Sequence, residues 1–84
     1  MNNINQLEWP LDKIIDTANE LQSRGASGAS TSERIAAAFV LNNQNYLPDS
    51  YPVMIEAWER LNEWQYHVKL IRQNYMHLII KKQG

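Results

Sequence analysis

The sequence predicts an all-α fold, a three-helix bundle with a four-helix variant, closing on a long C-terminal helix. Two observations carry that reading. Between Pro52 and Gly84 there is neither glycine nor proline, and apolar residues recur at Met54, Ala57, Leu61, Trp64, Val68, Ile71, Tyr75 and Leu78. Steps of three and four bring each of them back to one face of a helix with 3.6 residues per turn. Upstream, Ile35-Ala36-Ala37-Ala38-Phe39-Val40-Leu41 is apolar without interruption, and a helix with no polar face must be covered on several sides. At 84 residues the chain makes a single domain, because two halves would each be too small to offset chain entropy without a metal or disulfide.

In chain order, residues 1 to 6 are rich in Asn and Gln and offer little to bury, which predicts a flexible arm. Pro10 suits a first helical turn, where its missing N–H costs nothing. Leu11, Ile14, Ile15, Ala18 and Leu21 then follow at helical spacing, and Gly25 supplies a stop, giving a first helix over about 10–24. Ser30 and Glu33 have the spacing of a capping box, in which each side chain satisfies a free backbone N–H at a helix start. The second helix spans about 31–41. Its alanines let neighbours approach closely, and Ile35 and Phe39 are expected to fill the gaps at the centre of the fold. Asn42 can adopt a left-handed cap, and Pro48 cannot prolong the helix. Asp49 or Ser50 can cap a third helix with Pro52 in its first turn.

Read as one piece, residues 52–80 make a helix about 43 Å long, whereas a compact domain of this size has a radius of gyration of about 12 Å. Either the helix breaks near Leu61-Asn62-Glu63 into an antiparallel pair, or it overhangs and packs on another molecule. No glycine or proline marks a break, so the continuous form is expected, and with it self-association. Trp64, Ile71, Tyr75, Leu78 and Ile79 are the candidate interaction residues. Trp64 and Tyr75 are bulky for a two-stranded coiled-coil seam, so the long helix is expected to lie across the first two and meet a second subunit with its C-terminal end.

The formal net charge is −1, but every one of the nine acidic residues lies at or before Glu63. Beyond it come Lys69, Arg72, Lys81 and Lys82, a candidate basic patch. The helix dipole accounts for acids toward one end of a helix and cations toward the other; a patch that touches phosphate or an acidic partner is the sharper alternative. Nucleic-acid-binding domains of this size are strongly basic, and this chain is not. The 42–52 connection is also too long for a helix-turn-helix, whose turn is about 3 or 4 residues.

Other chemistries find little support. There is no cysteine, hence no disulfide, thiolate metal site or cysteine nucleophile. Glu59, Glu63 and His67 fall on one line of a continuous helix, yet bundle metal sites use repeated Glu-x-x-His motifs from separate helices. The Gly25-Ala26-Ser27-Gly28-Ala29-Ser30 connector lacks the lysine of a P-loop. No Gly-x-Ser-x-Gly elbow accompanies the serines. No catalytic residue, cofactor or metal is therefore expected. The polar start Met1–Gln6 has no signal-peptide core, and the apolar run of seven residues at Ile35–Leu41 falls short of the about 20 a membrane span needs. A cytoplasmic protein outside the membrane is expected.

The segment Ser30–Asn42, followed by Tyr46-Leu47-Pro48, resembles stretches in small uncharacterised helical proteins of prophages and bacterial accessory regions. The likeness covers a minor part of the chain and brings no catalytic motif; it implies origin only. The sequence reading is thus a non-enzymatic protein–protein interaction module, a homo-oligomer and adaptor or inhibitor of a larger partner. The alternative is a small nucleic-acid-binding regulator using the basic C-terminal segment.

Overall fold

A computed structural model describes residues 7 to 80; the predicted arm and Lys81 and Lys82 lie outside the described residues. Among the described residues there are four α-helices and no strand: α1 (Leu11–Arg24), α2 (Thr31–Val40), α3 (Met54–Leu61) and α4 (Trp64–Asn74), with single 3-10 turns at Gln44–Tyr46 and Met76–Leu78. The all-helical class holds. The last helix differs from expectation, being two.

The ends of α1 and α2 are set by their own residues. Gly25 takes the left-handed conformation at φ 75° and its N–H donates to Leu21 O at 2.7 Å, satisfying a carbonyl that the helix leaves free. The Ser30–Glu33 capping box is complete: Glu33 N donates to Ser30 Oγ at 3.2 Å and Ser30 N to Glu33 Oε1 at 3.0 Å. At the far end of α2, Asn42 sits at φ 54°. Asn43 N donates to Ala38 O and Asn42 N to Phe39 O, both at 3.0 Å, a Schellman ending.

Helix α2 is the centre, as its all-round apolar sequence requires: α1, α3 and α4 all pack against it, and Ile35, Ala36, Ala37, Ala38 and Val40 are buried. From α1 the core takes Ile14, Ile15, Ala18 and Leu21; from the C-terminal half it takes Ala57, Leu61, Val68 and Ile71. Phe39 departs from its expected place. It is only half-buried, lying at the edge of the core with its ring centroid 5.0 Å from that of Trp58. Val40, one residue on, points inward instead.

The continuous 52–80 helix is corrected by a sharp turn at Asn62, whose φ of 51° and ψ of −117° cannot belong to a helix. The cause is tertiary. Helix α2 has ten residues, about 15 Å at 1.5 Å per residue. A straight helix holding Ala57 and Leu61 on it would carry Val68 and Ile71 beyond its end. Turning at Asn62 lets α3 and α4 both bury their stripes on α2. Gln65 Nε2 donates to Trp58 O at 2.8 Å, satisfying a terminal carbonyl of α3 across the turn. A second interruption follows Asn74, where Tyr75 leaves the helix at φ −126°, ψ 14°. The resulting radius of gyration is 11.8 Å, so no helix among the described residues overhangs the body. Among the described residues no helix is long and apolar enough to cross a membrane.

Candidate functional site

The five predicted interaction residues do not form an outward ridge. Ile71 is fully buried and Ile79 is 7% exposed, and both belong to the core. Trp64, Tyr75 and Leu78 are half-buried against it. The stripe is apolar as its spacing predicts and lies across the first two helices; the break at Asn62 lets it be covered within the chain, so its C-terminal end, expected to meet a second subunit, is buried in the core at Ile79 instead.

What faces outward instead is a set of side chains off the stripe: Trp9, Val53, Ile55, Tyr66, Met76 and Ile80. Four exposed or half-exposed rings follow one another in a chain of contacts. Trp9, 66% exposed, meets Trp64 edge to face, with centroids 5.5 Å apart and planes at 79°. Trp64 in turn stands over His67 at 6.3 Å, and His67 over Tyr66 at 5.7 Å, each in a T-shaped arrangement. Tyr66 is 64% exposed. A wall of perpendicular rings therefore runs from the start of α1 onto the first turn of α4. His67 Nδ1 is buried within it and makes no hydrogen bond among the described residues. Sequence reasoning missed Trp9; the available signal was a tryptophan directly before the proline that opens a helix, off the periodic core positions.

Of the four candidate basic-patch residues, Lys69 and Arg72 lie among the described residues, side by side on α4. Arg72 lies at the C-terminal end of α2, where Nη1 donates to Val40 O at 2.8 Å and to Phe39 O at 3.4 Å, so its charge serves the negative end of that helix. Lys69 is exposed beside it, at a concavity of about 350 Å³ that also takes in Phe39, Asn42, Trp58 and Val68. Lys81 and Lys82 lie outside the described residues.

The remaining candidates lose their geometry. Glu59 lies in α3, while Glu63 and His67 lie at and beyond the start of α4, so the turn at Asn62 takes them off a common helical line. No three His, Asp or Glu side chains among the described residues are placed to hold a metal. In the Gly-Ala-Ser connector, Ser27 Oγ donates to Glu20 Oε1 at 2.6 Å and accepts from Ala29 N at 3.1 Å, while Ser30 caps α2. Its hydroxyls are committed to the chain itself. The one ion pair between described residues, Arg24–Glu20 at 3.8 Å, is exposed and contributes little.

The chain matches no protein-family model, no curated protein and no solved structure.

Proposed function

We propose that this protein is a non-enzymatic interaction module that associates with a second copy of itself through the aromatic wall of Trp9, Trp64 and Tyr66. Because the chain turns at Asn62, no overhanging helix supports self-association among the described residues; the exposed rings do. Trp9 at 66% exposure is the observation that carries the reading. Tryptophan and tyrosine bring large contact areas at low ordering cost, and they dominate the energetics of protein interfaces. A formal net charge of −1 leaves little repulsion between copies. The nucleic-acid reading has less behind it, since Arg72 is already bonded to helix carbonyls, which leaves Lys69 beside it as the exposed cation without a partner among the described residues.

Sedimentation velocity over a wide concentration range tests this. The wild type associates, and Trp9→Ser raises the dissociation constant by about tenfold or more, on the order of 1.4 kcal/mol, while circular dichroism stays helical. A strict monomer at millimolar concentration overturns the proposal.

A further inference from the structure

The last described turn of the chain is held in an unusual way. After α4 ends at Asn74, the Met76–Leu78 turn leads into an extended Ile79 at φ −84°, ψ 122°. Ile79 drops into the core at 7% exposure. Either side of it, α1 grips the backbone alone. Asn19 Nδ2 donates to Leu78 O at 3.1 Å, Ile80 N donates to Asn19 Oδ1 at 2.7 Å, and Gln22 Nε2 donates to Ile80 O at 2.6 Å. One asparagine amide thus pairs with both an acceptor and a donor of the backbone on either side of the extended Ile79. A groove of about 400 Å³ continues along α1 past this clamp, bordered by Asp16, Asn19, Gln22, Ser23 and the 69% exposed Ile80.

Nothing local compels the bend that delivers this segment. Residues 64 to 80 contain no glycine or proline, and their apolar spacing continues through Tyr75 and Leu78 at helical period. The interruption at Tyr75 is therefore maintained by the clamp and by burial of Ile79. Were α4 to continue through residue 80, the helix would gain its own backbone bonds, and its last six residues would project about 9 Å from the body. The seat of Ile79 in the core and the Asn19–Gln22 clamp would then stand empty.

We propose that residues 76–80 are an exchangeable element: with the chain straightened at Tyr75, they carry Ile79 into the core seat, and the backbone of Leu78 and Ile80 onto the Asn19–Gln22 clamp, of a second copy, which returns its own segment. This rests on the self-association reading and gives it a second mechanism. Because the clamp reads backbone atoms and one apolar side chain, it does not distinguish its own chain from another copy. Reciprocal exchange uses two identical sites and closes as a twofold dimer, a low-cost route to association because the docked contacts are those already made within one chain. Each site is complete only when a segment occupies it.

The test uses full-length protein. In a sample mixed from 15N-labelled and unlabelled chains, isotope-filtered spectra of the dimer show contacts from the Asn19 side-chain amide of one copy to Leu78 and Ile80 of the other. Inserting three glycines between Tyr75 and Met76 leaves clamp and segment intact but lets the segment reach its own α1 easily. The dimer fraction falls at least about fivefold, with helical content and thermal midpoint retained. A dimer whose Asn19 contacts are all within one chain, and whose population ignores the insertion, overturns exchange while leaving association through Trp9 standing. No dimer at any concentration overturns both.

Discussion

The two halves of this molecule end their helices by different means. In α1 and α2 the stops are chemical and local: Gly25 at φ 75°, the Ser30–Glu33 box, Asn42 in the left-handed region. From α3 onward the stops are tertiary. Asn62 and Tyr75 interrupt a stretch without glycine or proline, because α2 and α1 offer burial that a straight rod would forgo. A residue can specify a helix end by its own conformational preference, or an end can be imposed on indifferent residues by what lies across the core. The first kind is written where it acts; the second is written elsewhere in the chain.

The largest expected effect falls on the element both halves share. Ile35→Ala at the fully buried centre of α2 should destabilise by about 4 kcal/mol, lowering the thermal midpoint by well over 10 °C at roughly 4–8 °C per kcal/mol. Phe39→Ala should cost less, about 2 kcal/mol, because its ring is only half-buried beside Trp58. Equal losses in urea titrations of the two variants would show that the edge of the core matters as much as its centre. Arg72→Met comes next. It removes a charged donor from the Val40 carbonyl and should cost about 1–2 kcal/mol, whereas Lys69→Met, at an exposed position without a partner among the described residues, should stay within about 0.5 kcal/mol. Loss at Lys69 equal to that at Arg72 would break the assignment of Arg72 to the end of α2.

Ser30→Ala tests the local mode directly. It deletes the acceptor of Glu33 N and should cost about 1 kcal/mol, with the loss appearing as earlier amide exchange in the first turn of α2. An unchanged exchange pattern would show that packing holds that end too, and the contrast between the halves would narrow.

Much of the N-terminal half was legible from the chain alone. The capping box needs only two residues at the right spacing, and an all-round apolar run such as Ile35–Val40 must be central wherever its neighbours come from. The C-terminal stripe was legible as apolar, but not its partner: whether Val68 and Ile71 meet α2 or another molecule depends on the length of α2, a property thirty residues away. The aromatic wall was hidden for a related reason. Trp9 and Tyr66 lie far apart in the chain, and periodicity within one segment carries no information about rings that meet between segments. Asn19 shows this most plainly. In sequence it is one polar residue on α1, and only the return of the chain at residue 80 reveals what its amide grips.

The smallest predicted effect bears most directly on the contrast. At φ 51°, ψ −117° Asn62 occupies a region where glycine is at ease and other residues are strained by about 1 kcal/mol or more. Glycine also enlarges the unfolded ensemble, offsetting part of the gain, so Asn62→Gly should stabilise by about 0.5 kcal/mol in chemical denaturation. Asn62→Ala pushes the other way, since alanine is the best helix former and suits the turn poorly. If local preference governed this region, that variant would fuse α3 and α4 into one rod, and small-angle scattering would report an elongated particle. If burial governs, the variant loses about 1 kcal/mol yet keeps a radius of gyration near 11.8 Å, because straightening would strip Val68 and Ile71 of α2, at a cost of about 2–3 kcal/mol for each side chain exposed. The second outcome is expected, since two exposed core residues outweigh one strained asparagine.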